Sequence, residues 1–292
     1  MMLVYPSYYP DFRCIADRCR HSCCVGWEID VDPATLALYD SLEGELGDRL
    51  RRSIADGHFV QDASGRCPYL NDSGLCDLIT ACGEEALCDI CYEHPRFRHW
   101  YSDREEVGLG LCCEAAVDLL LQQTEPIALV SEGEECATAE ETAFFEARKE
   151  LFAIAQDRSA PLTARMERLL ELGGVSLPPL DWRTVYLSLE RLDEKWTEEL
   201  QNLRLLAVVP PDFEREFEHL LWYFLYRHLR PDGIAEGVGL AVLSTRVVAS
   251  LLAIGEQTTK RLADLVRQYS SEIEYSDQNP TVLAEKITDF RC

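Results

Sequence analysis

Eleven of the chain's thirteen cysteines fall between Cys14 and Cys113, in groups: Cys14, Cys19, Cys23 and Cys24, then Cys67, Cys76, Cys82, Cys88 and Cys91, then Cys112 and Cys113. A lone buried cysteine is a small apolar filler. Eleven in about a hundred residues exceed what packing uses, so the first third of the chain reads as a thiolate-rich metal or cluster site.

Disulfides are the competing use of cysteine, and they belong to oxidising compartments. The opening MMLVYPSYYPDF has no basic residue before Arg13, carries Pro6 and Pro10, and lacks the apolar stretch of a secretory leader. A cytoplasmic protein with reduced thiols is expected. The adjacent Cys23 and Cys24 point the same way, because bonding vicinal cysteines strains the backbone and the S–S torsion. Cys136 and Cys292 stand outside the groups and read as ordinary packing residues.

Charge narrows the partners. Fifty-two acidic and 28 basic residues give a formal charge of −24, which opposes any phosphate backbone, so nucleic acid is excluded as a partner. The acidity covers the whole chain rather than a tail, and it can steer basic segments of a protein partner. The longest apolar stretch, Val238 to Ile254, is interrupted by Ser244, Thr245 and Arg246. It falls short of membrane length and reads as a core helix, so no membrane is expected among the partners.

The fold class predicted is mainly α, with two parts. Residues 1–124 form a cysteine-rich metal- or cluster-binding unit of short helices and loops, and residues 132–292 form a helical domain. In the first part Asp32-Pro33 places an N-cap acid before a first-turn proline, predicting a helix from Pro33 to about Ala55 that ends at Gly57. Glu84 to Cys91 and Glu114 to Leu121 are further helices opened by acidic residues. In the second part apolar residues recur at three- and four-residue spacing: Phe144, Phe145, Leu151 and Phe152, then Leu187, Leu192, Trp196 and Leu200. Asp212 to Leu229, Leu240 to Ile254 and Thr258 to Tyr269 continue the pattern. The aromatic set Phe217, Trp222, Tyr223, Phe224 and Tyr226 reads as core.

If Arg18 to Cys24 were helical, Cys19 and Cys23 would share one face. Cys14 would approach from the preceding loop, and the turn at Asn71 to Gly74 would return Cys76 toward Cys67. Only Cys88 and Cys91 show the two-residue gap of a zinc knuckle. Zinc and iron–sulfur clusters both take thiolates, and count alone does not separate them. The CxxxCxxC signature of radical enzymes is absent, since Gly26 stands at its third ligand position. Gly237-Val238-Gly239 lacks the third glycine of a dinucleotide loop.

The run Phe12-Arg13-Cys14, Cys19, Cys23-Cys24, Gly26-Trp27 and Ile29 resembles the opening signature of the flagellin lysine-N-methylase family. Cys67-Pro68-Tyr69-Leu70, Gly74-Leu75-Cys76, Gly83-Glu84, Cys91, Pro95-Arg96 and Cys112 with Glu114-Ala115-Ala116 follow in the same order. Together they cover about residues 10–121. Cys113, His94, Cys82 and Cys88 depart from the family pattern. The resemblance implies eight ligating thiols, Cys14, Cys19, Cys23, Cys24, Cys67, Cys76, Cys91 and Cys112. It also implies an iron–sulfur cluster of the four-iron type and methyl transfer from S-adenosylmethionine to surface lysines of flagellin, a protein of the bacterial flagellum.

A lysine must lose its proton before its nitrogen attacks a sulfonium methyl, and its ordinary pKa near 10.4 opposes this at neutral pH. Glu114 or Tyr92 is the expected proton acceptor and Arg96 the clamp on the donor's carboxylate, because all three adjoin the expected ligands; His94 is the best spare ligand. The alternative function is a non-catalytic module, holding zinc or an iron–sulfur cluster, that stabilises a helical interaction domain or carries electrons. Metal storage is a third.

Overall fold

A computed structural model describes residues 1–133, 138–205 and 208–289. Cys136 and Cys292 lie outside the described residues. The chain folds as two compact units, divided elsewhere than at the expected 124–132 junction: Arg13–Phe97 is one, and Met1–Phe12 with Arg98–Cys292 is the other. The second unit claims residues 98–124 because its sheet draws on both sides of the cysteine-rich segment.

That sheet has the order β4 (Arg96–Trp100), β5 (Arg104–Leu109), β1 (Met2–Pro6), β6 (Leu129–Glu132), and the unit boundary falls within β4. Strand β1 pairs parallel to β5, with Met2 opposite Arg104, and antiparallel to β6, with Leu3 opposite Glu132. The remaining strands, β2 (Ile54–Ala55) and β3 (His58–Phe59), form a hairpin in the cysteine-rich unit.

The class is mainly α, as expected. In the cysteine-rich unit the helices are short: α1 (Pro33–Ser41), α2 (Gly44–Arg52), α3 (Asp77–Cys82) and α4 (Asp89–Glu93). Asp32 caps α1, its Oδ1 accepting from the Thr35 amide at 2.9 Å. The single helix expected through Ala55 breaks in two because Leu42 and Glu43 are extended and Gly44 has φ +83°, a conformation L side chains rarely adopt. Gly57, also at positive φ, turns the hairpin rather than ending a helix. The helix expected over Glu84 to Cys91 resolves into a 3-10 turn, Glu84–Ala86, and α4, because Cys88 is extended and caps α4. Cys19 is also extended, with only a 3-10 turn at Ala16–Arg18 before it, so Cys19 and Cys23 do not share a helical face.

The helical unit contains α5 (Glu114–Leu121), α6 (Ala139–Ala155), α7 (Leu162–Leu172), α8 (Trp182–Ser188), α9 (Glu194–Gln201), α10 (Glu214–His228), α11 (Ile234–Ile254), α12 (Thr259–Tyr269) and α13 (Asn279–Thr288). Helix α6 opens with a capping box in which Thr138 and Glu141 satisfy each other's amides. Helices α10 and α11 are buried on nearly every face, and α10 places Phe217, Trp222, Tyr223, Phe224 and Tyr226, the aromatic set read as core, inside the unit beside the buried Glu218 and His219. They approach closely at Gly237, where a Cβ would lie 2.8 Å from the His228 carbonyl oxygen. Contrary to the reading from the sequence, α11 is long and apolar enough to cross a membrane, because it starts at Ile234 rather than Leu240; most of it is buried inside its unit. Leu192 departs from the expected apolar stripe: it lies between α8 and α9 and is 73% exposed.

Candidate functional site

The cysteine-rich unit folds its distant thiols onto one small core. Cys67 and Cys88 are buried with Ile29, Val31, Tyr39, Leu50, Phe59, Tyr69 and Leu78, and Cys24, Cys76 and Cys91 pack against the same cluster. Backbone pairing draws them in. The Cys67 amide donates to the Cys24 carbonyl at 2.9 Å, and Val25 bridges to Arg66. Asn71 Oδ1 accepts from the Ser73 and Leu75 amides, each at 3.0 Å, and with Gly74 at positive φ this turn carries the chain back so that Leu70 bridges to Cys76. The turn expected between Cys67 and Cys76 therefore forms. The backbone of Asp17 lies against Gly74, which sets the Ala16–Arg18 turn on the same loop.

Asp32 serves two helices. Beyond capping α1, its Oδ2 accepts from the Asp89 amide at 3.0 Å, the first residue of α4, which carries Cys88 and Cys91 at its start. The Asp89 and Thr35 amides, together with the Thr35 hydroxyl, hold the carboxyl down at about 2. Tyr39, on α1, donates its hydroxyl to the Ala86 carbonyl at 2.7 Å and so fixes the segment leading into Cys88.

The thiols sense one another. Hydrogen bonding from Cys23 brings Cys24 down to about 6, helped by Ser22 and the Arg66 charge and opposed by burial. Burial pushes Cys67 up to about 11 and raises Cys76, and the negative charge of Cys24 adds to both. Cys88 and Cys91 share a hydrogen bond that lowers Cys88 and raises Cys91, on which Cys24 and Cys67 also act. Tyr39 is raised by burial and then by the charges of Cys88, Cys91 and Cys76. Five thiols, Cys24, Cys67, Cys76, Cys88 and Cys91, therefore occupy one electrostatic neighbourhood, with Cys23 bonded to it. Cys88 was passed over by the ligand set that the resemblance implies, although its two-residue gap to Cys91 is the sharpest ligand spacing in the sequence.

The other expected residues are placed differently. Cys14 is exposed, its sulfur accepting from the Ala16 amide at 3.4 Å, and Cys19 is half-buried. Cys112 belongs to the helical unit, where burial pushes its thiol up to about 12 against a hydrogen bond with Tyr275. Glu114 is also in that unit, buried in the first turn of α5. Tyr92 is 53% exposed near the end of α4, and the Arg96 guanidinium donates to its carbonyl at 3.1 Å. His94 is held neutral by burial and by Arg96, which bring it down to about 4.

Soft, partly ionised and largely buried thiols suit a thiophilic group. A single zinc would need sulfurs about 3.8 Å apart, given bonds of about 2.3 Å in a tetrahedron. Among the described residues no group of three or more His, Cys, Asp or Glu stands at the spacing that would hold one metal ion. The donor set fits a thiophilic group in its chemistry.

Sequence comparison places relatives beside this geometry. The chain is 29% identical to proteins named lysine-N-methylase from Salmonella choleraesuis (strain SC-B67) and Salmonella typhimurium (strain LT2), over 138 residues covering 42% of this chain and 33% of each relative. It is 28% identical over 138 residues to a protein named flagellar biosynthetic protein FliU from Salmonella muenchen, covering 42% of this chain and 79% of that one. No family model and no solved structure matches. The resemblance to the flagellin lysine-N-methylase family thus appears in direct alignment as well as in the cysteine pattern, and the chain spans about a third of the length of the first two relatives.

Proposed function

We propose that the chain is a protein-lysine N-methyltransferase that takes its methyl group from S-adenosylmethionine, depends on an iron–sulfur cluster of the four-iron type, and acts in the cytoplasm on flagellin. The observation that carries this reading is the convergence of Cys24, Cys67, Cys76, Cys88 and Cys91 on one core in a chain whose relatives bear the name lysine-N-methylase. When bound there, the cluster would supply thiolate-ligated iron, whose potential the surrounding burial and hydrogen bonds tune.

The remaining chemistry falls to the protein. The ε-nitrogen of the substrate lysine forms a bond to the methyl carbon while the carbon–sulfur bond breaks. The sulfonium leaves as a neutral thioether, and the ammonium proton passes to a base beforehand. Of the two expected acceptors, Tyr92 is exposed enough to meet a side chain on a protein surface, whereas Glu114 is buried at the start of α5. The acidic surface, −24 overall, draws a lysine-bearing substrate.

Anaerobic purification followed by iron, sulfide and zinc analysis tests this reading, with absorption spectra taken before and after S-adenosylmethionine. About four irons and four sulfides per chain, with a spectrum perturbed by the donor, are expected. Zinc without sulfide would remove the cluster-dependent reading and favour a structural metal, to which the burial of Cys67 and Cys88 inside an apolar core is equally suited.

A further inference from the structure

Helices α7 and α10 begin side by side. The amide of Leu162, which opens α7, donates at 2.7 Å to Oε1 of Glu214, which opens α10, so one carboxylate ties the two starts together. Glu214 also lines a pocket of about 280 Å³, with Arg158, Arg165, Arg215 and Glu218. Its floor is buried: the side chains of Arg165 and Glu218 are 4% and 1% exposed and meet at 2.6 Å. Its rim is open, the side chains of Arg158 and Arg215 being 44% and 47% exposed.

Charge alone does not choose a ligand, because the three arginines face Glu214, Glu218 and the neighbouring Glu216, which pairs with Arg215 Nη2 at 2.6 Å. The hydrogen-bond inventory does. Both oxygens of Glu218 are spent: Oε1 takes Arg158 Nε at 3.0 Å and Nη2 at 2.9 Å, and Oε2 takes Arg165 Nη1 at 2.6 Å. Arg165 uses all three of its nitrogens, on Glu218, Glu214 and the carbonyls of Ala155 and Ala160. Among the described residues, Nη1 of Arg158 and Nε and Nη1 of Arg215 donate to no protein acceptor, and Oε2 of Glu214 accepts from no protein donor.

The pocket therefore offers surplus donors from two guanidiniums and one surplus acceptor. Two helix N-termini add the positive ends of their dipoles. A planar carboxylate would use one guanidinium fork and leave Glu214 opposing it. A small oxyanion that also carries a hydroxyl matches the whole set. Inorganic phosphate is such an ion: at neutral pH it is negatively charged, presents oxygens at four corners and keeps a P–OH for Glu214 Oε2. Sulfate has the same shape and no such hydrogen. The volume of about 280 Å³, roughly nine times a water's share of about 30 Å³ in the liquid, admits the ion with attendant waters and suits nothing much larger.

We propose that this pocket binds inorganic phosphate, held by Arg158 and Arg215, with Glu214 Oε2 accepting from its hydroxyl. The site is independent of the methyl-transfer reading.

Isothermal titration calorimetry of the full chain with sodium phosphate at neutral pH and constant ionic strength tests it, with sodium sulfate as the matched tetrahedral anion. Saturable phosphate binding is expected, and sulfate should bind about tenfold more weakly because one of its oxygens meets the Glu214 carboxylate without a hydrogen between them. Arg215→Met should weaken phosphate binding about tenfold. Its melting temperature without phosphate should stay that of the unaltered chain, since the lost pair with Glu216 is a surface one. Arg183→Met, an exposed arginine elsewhere in the unit, should bind phosphate as the unaltered chain does. Glu214→Gln keeps an oxygen for the Leu162 amide and turns the surplus acceptor into a donor, so sulfate should bind this variant at least as well as phosphate. No saturable phosphate binding by the unaltered chain, equal binding of sulfate, or undiminished binding by Arg215→Met overturns the proposal. So does a preference for phosphate that survives Glu214→Gln.

Discussion

The two units reach stability by different means. In the helical unit α10 and α11 are buried on nearly every face, α10 with large aromatic side chains, and hydroxyls such as that of Tyr269 pair inside the core, with Ser244 at 2.7 Å and Tyr186 at 3.2 Å. The cysteine-rich unit, about 85 residues long, has four short helices, a two-residue hairpin and a core in which thiols stand among the apolar side chains. A unit of that size buries a smaller share of its surface on folding than a large domain does. Thiols gathered in its core are where a bound metal or cluster would add cross-links. Cysteine density thus marks the part of the chain with the smaller apolar core.

Breaking the helical side of this contrast should give the largest effects. Trp222→Ala removes a fully buried ring packed 4.9 Å from Phe152 and is expected to cost about 3–5 kcal/mol in urea denaturation. Glu106→Gln leaves the buried Arg148 charge without its partner and is expected to cost about 3 kcal/mol or slightly more, whereas replacing both residues with apolar ones should recover much of the loss. Either variant should leave the ultraviolet absorption of a loaded cysteine-rich unit unchanged; a joint loss would show that the units unfold as one.

A middle-sized effect probes the cysteine-rich side. Asp32→Ala removes the cap of α1 and the tie to α4 together, and is expected to cost about 1–2 kcal/mol for this unit. The pH dependence has a definite sign. The carboxyl sits at about 2 when folded against an ordinary value of 3.8, so its contribution is complete above about pH 4 and disappears as pH falls through 2. Stability of the unaltered chain and Asp32→Ala should therefore converge on acidification. In the metal-free protein Cys24 offers a second handle: with its thiol at about 6, alkylation there should rise through pH 6, well below the ordinary thiol range, as mass spectrometry of the modified peptide would show. The smallest effect belongs to Leu192→Ser, expected to fall within about 0.5 kcal/mol because that side chain is mostly exposed.

What the sequence displays depends on how local the cause is. The cap at Asp32-Pro33, the aromatic core of α10 and the turn after Asn71 are written in neighbouring residues and were legible. The break at Gly44 was not, because an apolar pattern continues across it and only the backbone angle reveals the stop. The four-stranded sheet was invisible for a different reason: Met2 pairs with Arg104, and no local pattern reports a partner so distant. Cys88 was legible through its spacing to Cys91 and was set aside because the resemblance passes over it.

The pairing of β1 with β5 also sets a schedule. At about 5–20 residues per second of synthesis, a strand at Met2–Pro6 waits roughly 5–20 seconds for Arg104–Leu109 to be made. All nine cysteines of the unit between Arg13 and Phe97 are made within that interval. The insert thus has its full set of thiols, and time to close around whatever they hold, before the sheet that anchors both of its ends can form.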